Sequence, residues 1–104
     1  MKRLLFLILT IFAFNSNVLA DYFDGNDLYQ LAESKNSQNY TLFKGYVAGV
    51  QDVNNGVLFC VDENVKLSQS SEIVRKYLSD NPQKWHLAAN QLIVNALLIA
   101  FPCK

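Results

Sequence analysis

The stretch from Asn81 to Cys103 limits the possible folds more than any other part of the chain. It reads Asn-Pro-Gln-Lys-Trp-His-Leu-Ala-Ala-Asn-Gln-Leu-Ile-Val-Asn-Ala-Leu-Leu-Ile-Ala-Phe-Pro-Cys. Asn81 suits a helix N-cap, and Pro82 suits the first helical position, where a missing N–H costs nothing. Strong helix formers follow, and Pro102 ends the run. Leu92, Ala96 and Ile99 make one apolar row, with Ala89, Ile93, Leu97, Ala100 and Phe101 making a second beside it. Only Lys84, Gln91 and Asn95 leave a polar strip. A helix apolar around most of its circumference has to be buried. The segment therefore predicts a central helix wrapped by the rest of the chain and tied at its end by Cys103. Its apolar part, Leu87 to Phe101, contains Asn90, Gln91 and Asn95 and falls short of the roughly 20 residues a bilayer span needs. That favours a core helix over a membrane helix.

The other end of the sequence has the pattern of a secretory signal. Lys2 and Arg3 supply the charged start, Leu4 to Phe14 the apolar middle, and Val18-Leu19-Ala20 the compact residues before a cleavage site. Cleavage after Ala20 predicts a signal peptide over 1–20, a single small domain over 21–104, and a periplasmic location. The chain holds nine basic and nine acidic residues. Removing Lys2 and Arg3 makes the remainder mildly acidic, which leaves no electrostatic footprint for nucleic acid or an anionic membrane. A domain this small often needs a staple. Two cysteines in an oxidising compartment predict one disulfide, Cys60–Cys103. Closing that loop contributes on the order of 4 kcal/mol, a large part of a typical domain stability of about 5–15 kcal/mol. A redox or metal pair is disfavoured, because there is neither a C-x-x-C spacing nor a histidine cluster.

Between these ends, Asp24 or Asn26 can cap a first helix carrying Leu28, Leu31 and Ala32. The polar run 34–39 connects it to a second helix, from about Tyr40 to Val53, with Phe43, Val47, Val50 and Val53 at helical spacing. Gly45 and Gly49 lie four apart on one face of that helix. Each costs up to about 1 kcal/mol relative to alanine, which close approach of another helix would offset. The partner is either the C-terminal helix or a second subunit, with core packing favoured because a lone G-x-x-x-G is a weak signal. Asn54-Asn55-Gly56 marks a turn, and Val57 to Val61 reads as an extended segment delivering Cys60 to the end of the central helix. A third helix spans about Ser68 to Ser79, with Ile73, Val74, Tyr77 and Leu78 facing inward and Arg75 and Lys76 solvated. The expected fold is all-α: four helices, the last one central, and one disulfide.

A search for catalytic chemistry finds little. The sequence has one histidine and lacks G-x-S-x-G, H-E-x-x-H, Walker and Rossmann patterns. With both cysteines paired, no thiol nucleophile remains. His86 reads as a partly buried packing residue, and Trp85 as core or as a binding hot spot. These readings predict no cofactor and a binding or structural protein rather than an enzyme.

Phe23-Asp24-Gly25-Asn26-Asp27-Leu28 and Gly45-Tyr46-Val47-Ala48-Gly49-Val50-Gln51-Asp52 resemble two signatures of the Rap/Tai immunity proteins. Phe59-Cys60, Val74-x-x-Tyr77-Leu78, Asn81-Pro82, His86-x-x-Ala89 and Ala96-Leu97-x-x-Ala100-Phe101-Pro102-Cys103 continue the likeness in order. The resemblance implies an exported helical protein, commonly a homodimer. Such a protein binds a peptidoglycan amidase delivered by type VI secretion and occludes its active-site cleft without catalysing anything. Many members carry a second cysteine pair, which would fall near Ala32 and Phe43. Its joint absence, with Cys60 and Cys103 both kept, agrees with pairing of the latter two. Exposed turns are the candidates for partner contact: Asp52, Asn54 and Asn55; Asp62, Glu63 and Asn64; and Lys84 with Trp85. Acidic groups there would meet a basic rim or a catalytic histidine, and the bland alternative is that each turn is a solvated connector. A rival reading from another class is a periplasmic acid-stress chaperone of the HdeA type, also small, helical and singly cross-linked.

Overall fold

Asp24 opens the first helix, α1 (Gly25–Ala32), in a computed structural model that describes residues 23–104. The expected signal peptide lies outside the described residues. Asp24 Oδ1 accepts the Asp27 N–H at 3.0 Å, and Asp27 Oδ2 accepts the Asp24 N–H at 3.1 Å. This reciprocal box satisfies donors that a helix start leaves free. Leu28 and Ala32, one turn apart, are the buried face.

The second helix, α2 (Ser37–Asn54), begins three residues earlier than Tyr40. The polar connection contains its own cap: Asn36 Oδ1 accepts the Gln38 N–H at 2.8 Å and the Asn39 N–H at 3.4 Å. Phe43 and Val47 are fully buried. Ala32 and Phe43 both lie in the core. The chain leaves α2 through Asn55 and turns at Gly56, whose φ of +85° is the left-handed region that glycine tolerates. Asn55 and Phe59 form an isolated bridge, after which α3 (Leu67–Asp80) begins. Gln69 Oε1 reaches back to the Lys66 N–H at 2.8 Å at its start. Val74 and Leu78 face inward, again one turn apart.

The last segment departs from expectation. A single continuous helix from Pro82 is not formed; a 3-10 turn, η1 (Pro82–Lys84), is followed by a break and then by α4 (Ala89–Ala100). Asn81 does not cap it either. Its side-chain N–H donates to the Tyr77 carbonyl at 2.8 Å and closes α3 instead. The break has a physical cause. In an unbroken helix the Trp85 and Leu87 carbonyls would accept from residues four further on. Here they accept the free N-terminal N–H groups of α1, Gly25 to Leu87 at 2.9 Å and Asn26 to Trp85 at 3.0 Å. The Asn26 side chain adds a bond to the same Trp85 carbonyl at 3.1 Å, and Ala89 donates to Phe23 at 3.0 Å. Two elements far apart in sequence thus satisfy each other's backbone.

α4 is central, as its composition implies: Ala89, Leu92, Ile93, Ala96 and Leu97 give it more buried apolar residues than any other element. Burial on nearly all sides is not observed. Leu98, Ile99 and Ala100 face outward, with Ile99 71% exposed. Phe59 and Val61 from the connecting loop complete the core. Between them the extended segment delivers Cys60 to Cys103, and the disulfide forms with the Cα atoms 4.9 Å apart. The fold is all-α with four α-helices among the described residues, as read from the sequence.

Candidate partner-binding surface

Loop 55–66 is pinned at several points. Asn55 Oδ1 accepts the Val61 N–H at 2.8 Å, Gly56 N–H donates to the Phe59 carbonyl at 2.7 Å, and Cys60 N–H donates to the Phe101 carbonyl at 2.8 Å. Asn54 turns inward along its own helix, donating to the Val50 carbonyl at 2.8 Å. Asp62 closes the next turn by accepting the Asn64 N–H at 2.8 Å. Asp52, Glu63 and Asn64 are exposed, and among the described residues no partner engages the side chains of Asp52 and Glu63. Asn54 and Asn55 therefore shape the loop, while Asp62, Glu63 and Asn64 present polar groups from it and Asp52 presents one from the last turn of α2.

Lys84 and Trp85 lie elsewhere. α3 is 14 residues long, which at 1.5 Å per residue separates its two ends by about 20 Å. The Asp62–Asn64 turn precedes its start, and Lys84 follows its end. Trp85 stacks on Tyr29 with centroids 4.2 Å apart, and its indole N–H donates to the Leu78 carbonyl at 2.8 Å. Lys84 lies over the Tyr77 ring at 5.7 Å. The eight candidate residues thus form two separate groups. His86 is exposed rather than partly buried, because the break before α4 turns it outward.

Sequence reasoning missed the aliphatic residues at the disulfide end. Val53 (78% exposed), Val57 (75%), Leu58, Leu98 and Ile99 are all exposed, and each lies within seven residues of Cys60 or Cys103 in sequence. The signal was present: Ile99 is four residues from Cys103, and Val57 and Leu58 are within three of Cys60. Arg75 was read as solvated, yet it ties three helices together. Its guanidinium meets Glu33 of α1 at 3.1 Å and Glu72 at 3.0 Å, and Tyr40 of α2 donates to Glu72 at 2.9 Å. The Arg75 hydrogen bond, with that from Tyr40, holds the Glu72 carboxyl below its usual range. Burial and the nearby Glu72 carboxylate raise Tyr40. Among the described residues no group of three or more His, Cys, Asp or Glu side chains is placed to hold a metal ion. None of the described helices is long and apolar enough to cross a membrane.

Residues 24–103 match the family model of the Rap1a immunity proteins. The chain belongs to the Rap1a immunity family. No curated protein matches it in sequence. Membership makes it an immunity protein with a cognate secreted effector as its partner. The structure gives the Rap1a-like signature at residues 23–28 a packing role. Asp24 and Asp27 form the capping box, Asn26 bonds Trp85, Leu28 enters the core, and Gly25 lets α1 touch the 85–88 segment. The second signature is only half explained in this way. Val47 is core, but Gly45 and Gly49 are exposed, and a Cβ on either would meet nothing within 4 Å. Packing of these glycines against α4 is therefore not observed.

Proposed function

We propose that this Rap1a-family protein is exported to the periplasm and acts there as a homodimer that blocks a type VI-delivered peptidoglycan amidase by covering its active-site cleft. Family membership carries the reading. Three features of the chain support its details. The N-terminal pattern is that of a secretory signal, and a disulfide belongs to an oxidising compartment. Asp52 stands on the last turn of α2 and Asp62–Glu63 on a pinned loop, so presenting them to a partner costs little ordering entropy. Their carboxylates complement a basic rim and would speed encounter. Gly45 and Gly49 leave α2 with a bare face that no element among the described residues covers, which suits a second subunit.

The test is co-expression with periplasmically directed amidases encoded at type VI loci. Cells carrying the protein should survive an amidase that lyses cells without it, and the purified pair should co-elute. An unbound, fully active amidase from each such locus would overturn the reading. Glu63→Lys should weaken binding at least tenfold without altering the melting temperature, since the Glu63 side chain is exposed. Unchanged affinity would move the contact away from this loop.

A further inference from the structure

Cys60 and Cys103 are both exposed, and the bond between them joins a loop to the penultimate residue of the chain. The contacts that position the two cysteines do not run through sulfur. Phe59 and Val61 flank Cys60 and are buried in the core. Asn55 and Gly56 hold that segment by the two hydrogen bonds described above. On the other side, Phe101 packs against the core and its N–H donates to the Leu97 carbonyl at 2.8 Å. Its carbonyl accepts the Cys60 N–H, so loop and tail already meet through backbone. The resulting 4.9 Å between Cα atoms lies within the span a disulfide requires.

We infer that this disulfide closes on a fold already complete, and that the folded protein is an open site for thiol–disulfide exchange with a dithiol. The thiolate of the dithiol attacks the Cys103 sulfur, and Cys60 leaves as a thiolate. The second thiol then resolves the mixed disulfide at Cys103. The dithiol gives up two electrons and becomes a disulfide, while its two protons end on Cys60 and Cys103. Cys103 is the sulfur attacked because it lies in the exposed segment beyond α4, whereas Cys60 is held between two buried neighbours. Run in reverse, the same exchange oxidises a folded dithiol form. The loop keeps its shape in both states, and the bond acts on the unfolded ensemble by narrowing it.

The oxidised protein can be exposed to dithiothreitol in a series of urea concentrations below the unfolding transition, quenched by alkylation and weighed. Exchange in the folded state gives a reduction rate that changes by less than about twofold across the series, because no surface is exposed in the step. The reduced protein should keep its helical circular dichroism, and the Cys60 amide should remain protected from hydrogen exchange. A rate that climbs exponentially with urea, in parallel with global unfolding, would overturn the inference. So would a reduced protein, or a Cys60→Ser, Cys103→Ser variant, without helical signal.

Discussion

Gly25 is where a single hydrogen atom matters most. A Cβ placed there would stand 2.5 Å from Leu92 Cδ1, 2.7 Å from Trp85 Cα and 2.8 Å from the Trp85 carbonyl oxygen. A leucine methyl can swing away, but two of these three neighbours are backbone. Gly25→Ala must push α1 off the 85–88 segment and stretch the bonds from Gly25 and Asn26. The expected loss is about 3 kcal/mol or more by urea denaturation; a loss below about 1 kcal/mol would mean that the contact yields easily. Ser71 poses the opposite case. Its hydroxyl, like that of Ser70, is buried with no hydrogen-bond partner among the described residues, and an unsatisfied buried group is a cost. Ser71→Ala should leave stability unchanged or raise it by up to about 1 kcal/mol in the same assay. Neither site was legible in the sequence. Gly25 stands there only as one letter of the 23–28 signature, and the neighbour that demands a glycine, Trp85, comes from a segment far along the chain.

At the scale of elements, what the sequence made legible was local. Helical spacing placed Phe43 and Val47, or Val74 and Leu78, on buried faces, and Asp24 stood where a cap was needed. Boundaries that depend on distant partners were not legible. The break before Ala89 exists because α1 needs acceptors, and nothing between Asn81 and Cys103 announces that need. The role of Arg75 was hidden for the same reason, since Glu33 and Tyr40 belong to other helices. That network gives the protein an acid sensitivity with a definite sign. Glu72 has its folded-state pKa lowered by Arg75 and Tyr40, so its contribution is complete above the unfolded value near 4.5 and is lost as pH falls through the lower folded value. Asp24, lowered first by the Asp27 N–H and opposed by partial desolvation, acts in the same direction. Tyr40 works at the other extreme: its pKa is raised, so its share persists below about pH 10 and fades as pH rises beyond it. The urea midpoint should fall as pH drops below about 4.5, and Glu72→Gln should flatten part of that decline. Because the pair is partly exposed, the Glu72 share should stay under about 1 kcal/mol. A midpoint that holds steady from pH 6 to pH 3 would remove the network from the stability of the fold.

Over the whole molecule, the outer face of α2 is the feature its own chain leaves without a function. Leu42, 61% exposed, and Val53 bracket Gly45 and Gly49 along that face. Each glycine costs up to about 1 kcal/mol in a helix relative to alanine. Because nothing among the described residues, apart from the helix's own backbone, lies within 4 Å of either Cβ position, alanine could replace both without a clash. Their presence is thus unexplained by an isolated subunit, and the two readings of the face predict opposite signs. If it is bare in solution, Gly49→Ala raises the melting temperature and the protein sediments as a monomer at every concentration. If a second copy packs there, as proposed, the wild-type melting temperature climbs with protein concentration, since association stabilises the folded state by mass action. Gly49→Gln then separates the two cases most clearly. Its Cβ meets nothing within 4 Å among the described residues, so helix content is retained, but the rest of the side chain occupies the space into which a partner helix would press. Sedimentation should show dimer for the wild type and monomer for the variant, and the concentration dependence of melting should disappear with it. A variant that still dimerises would move the seam off α2, and a wild type that never dimerises would leave the two glycines as a cost with no return.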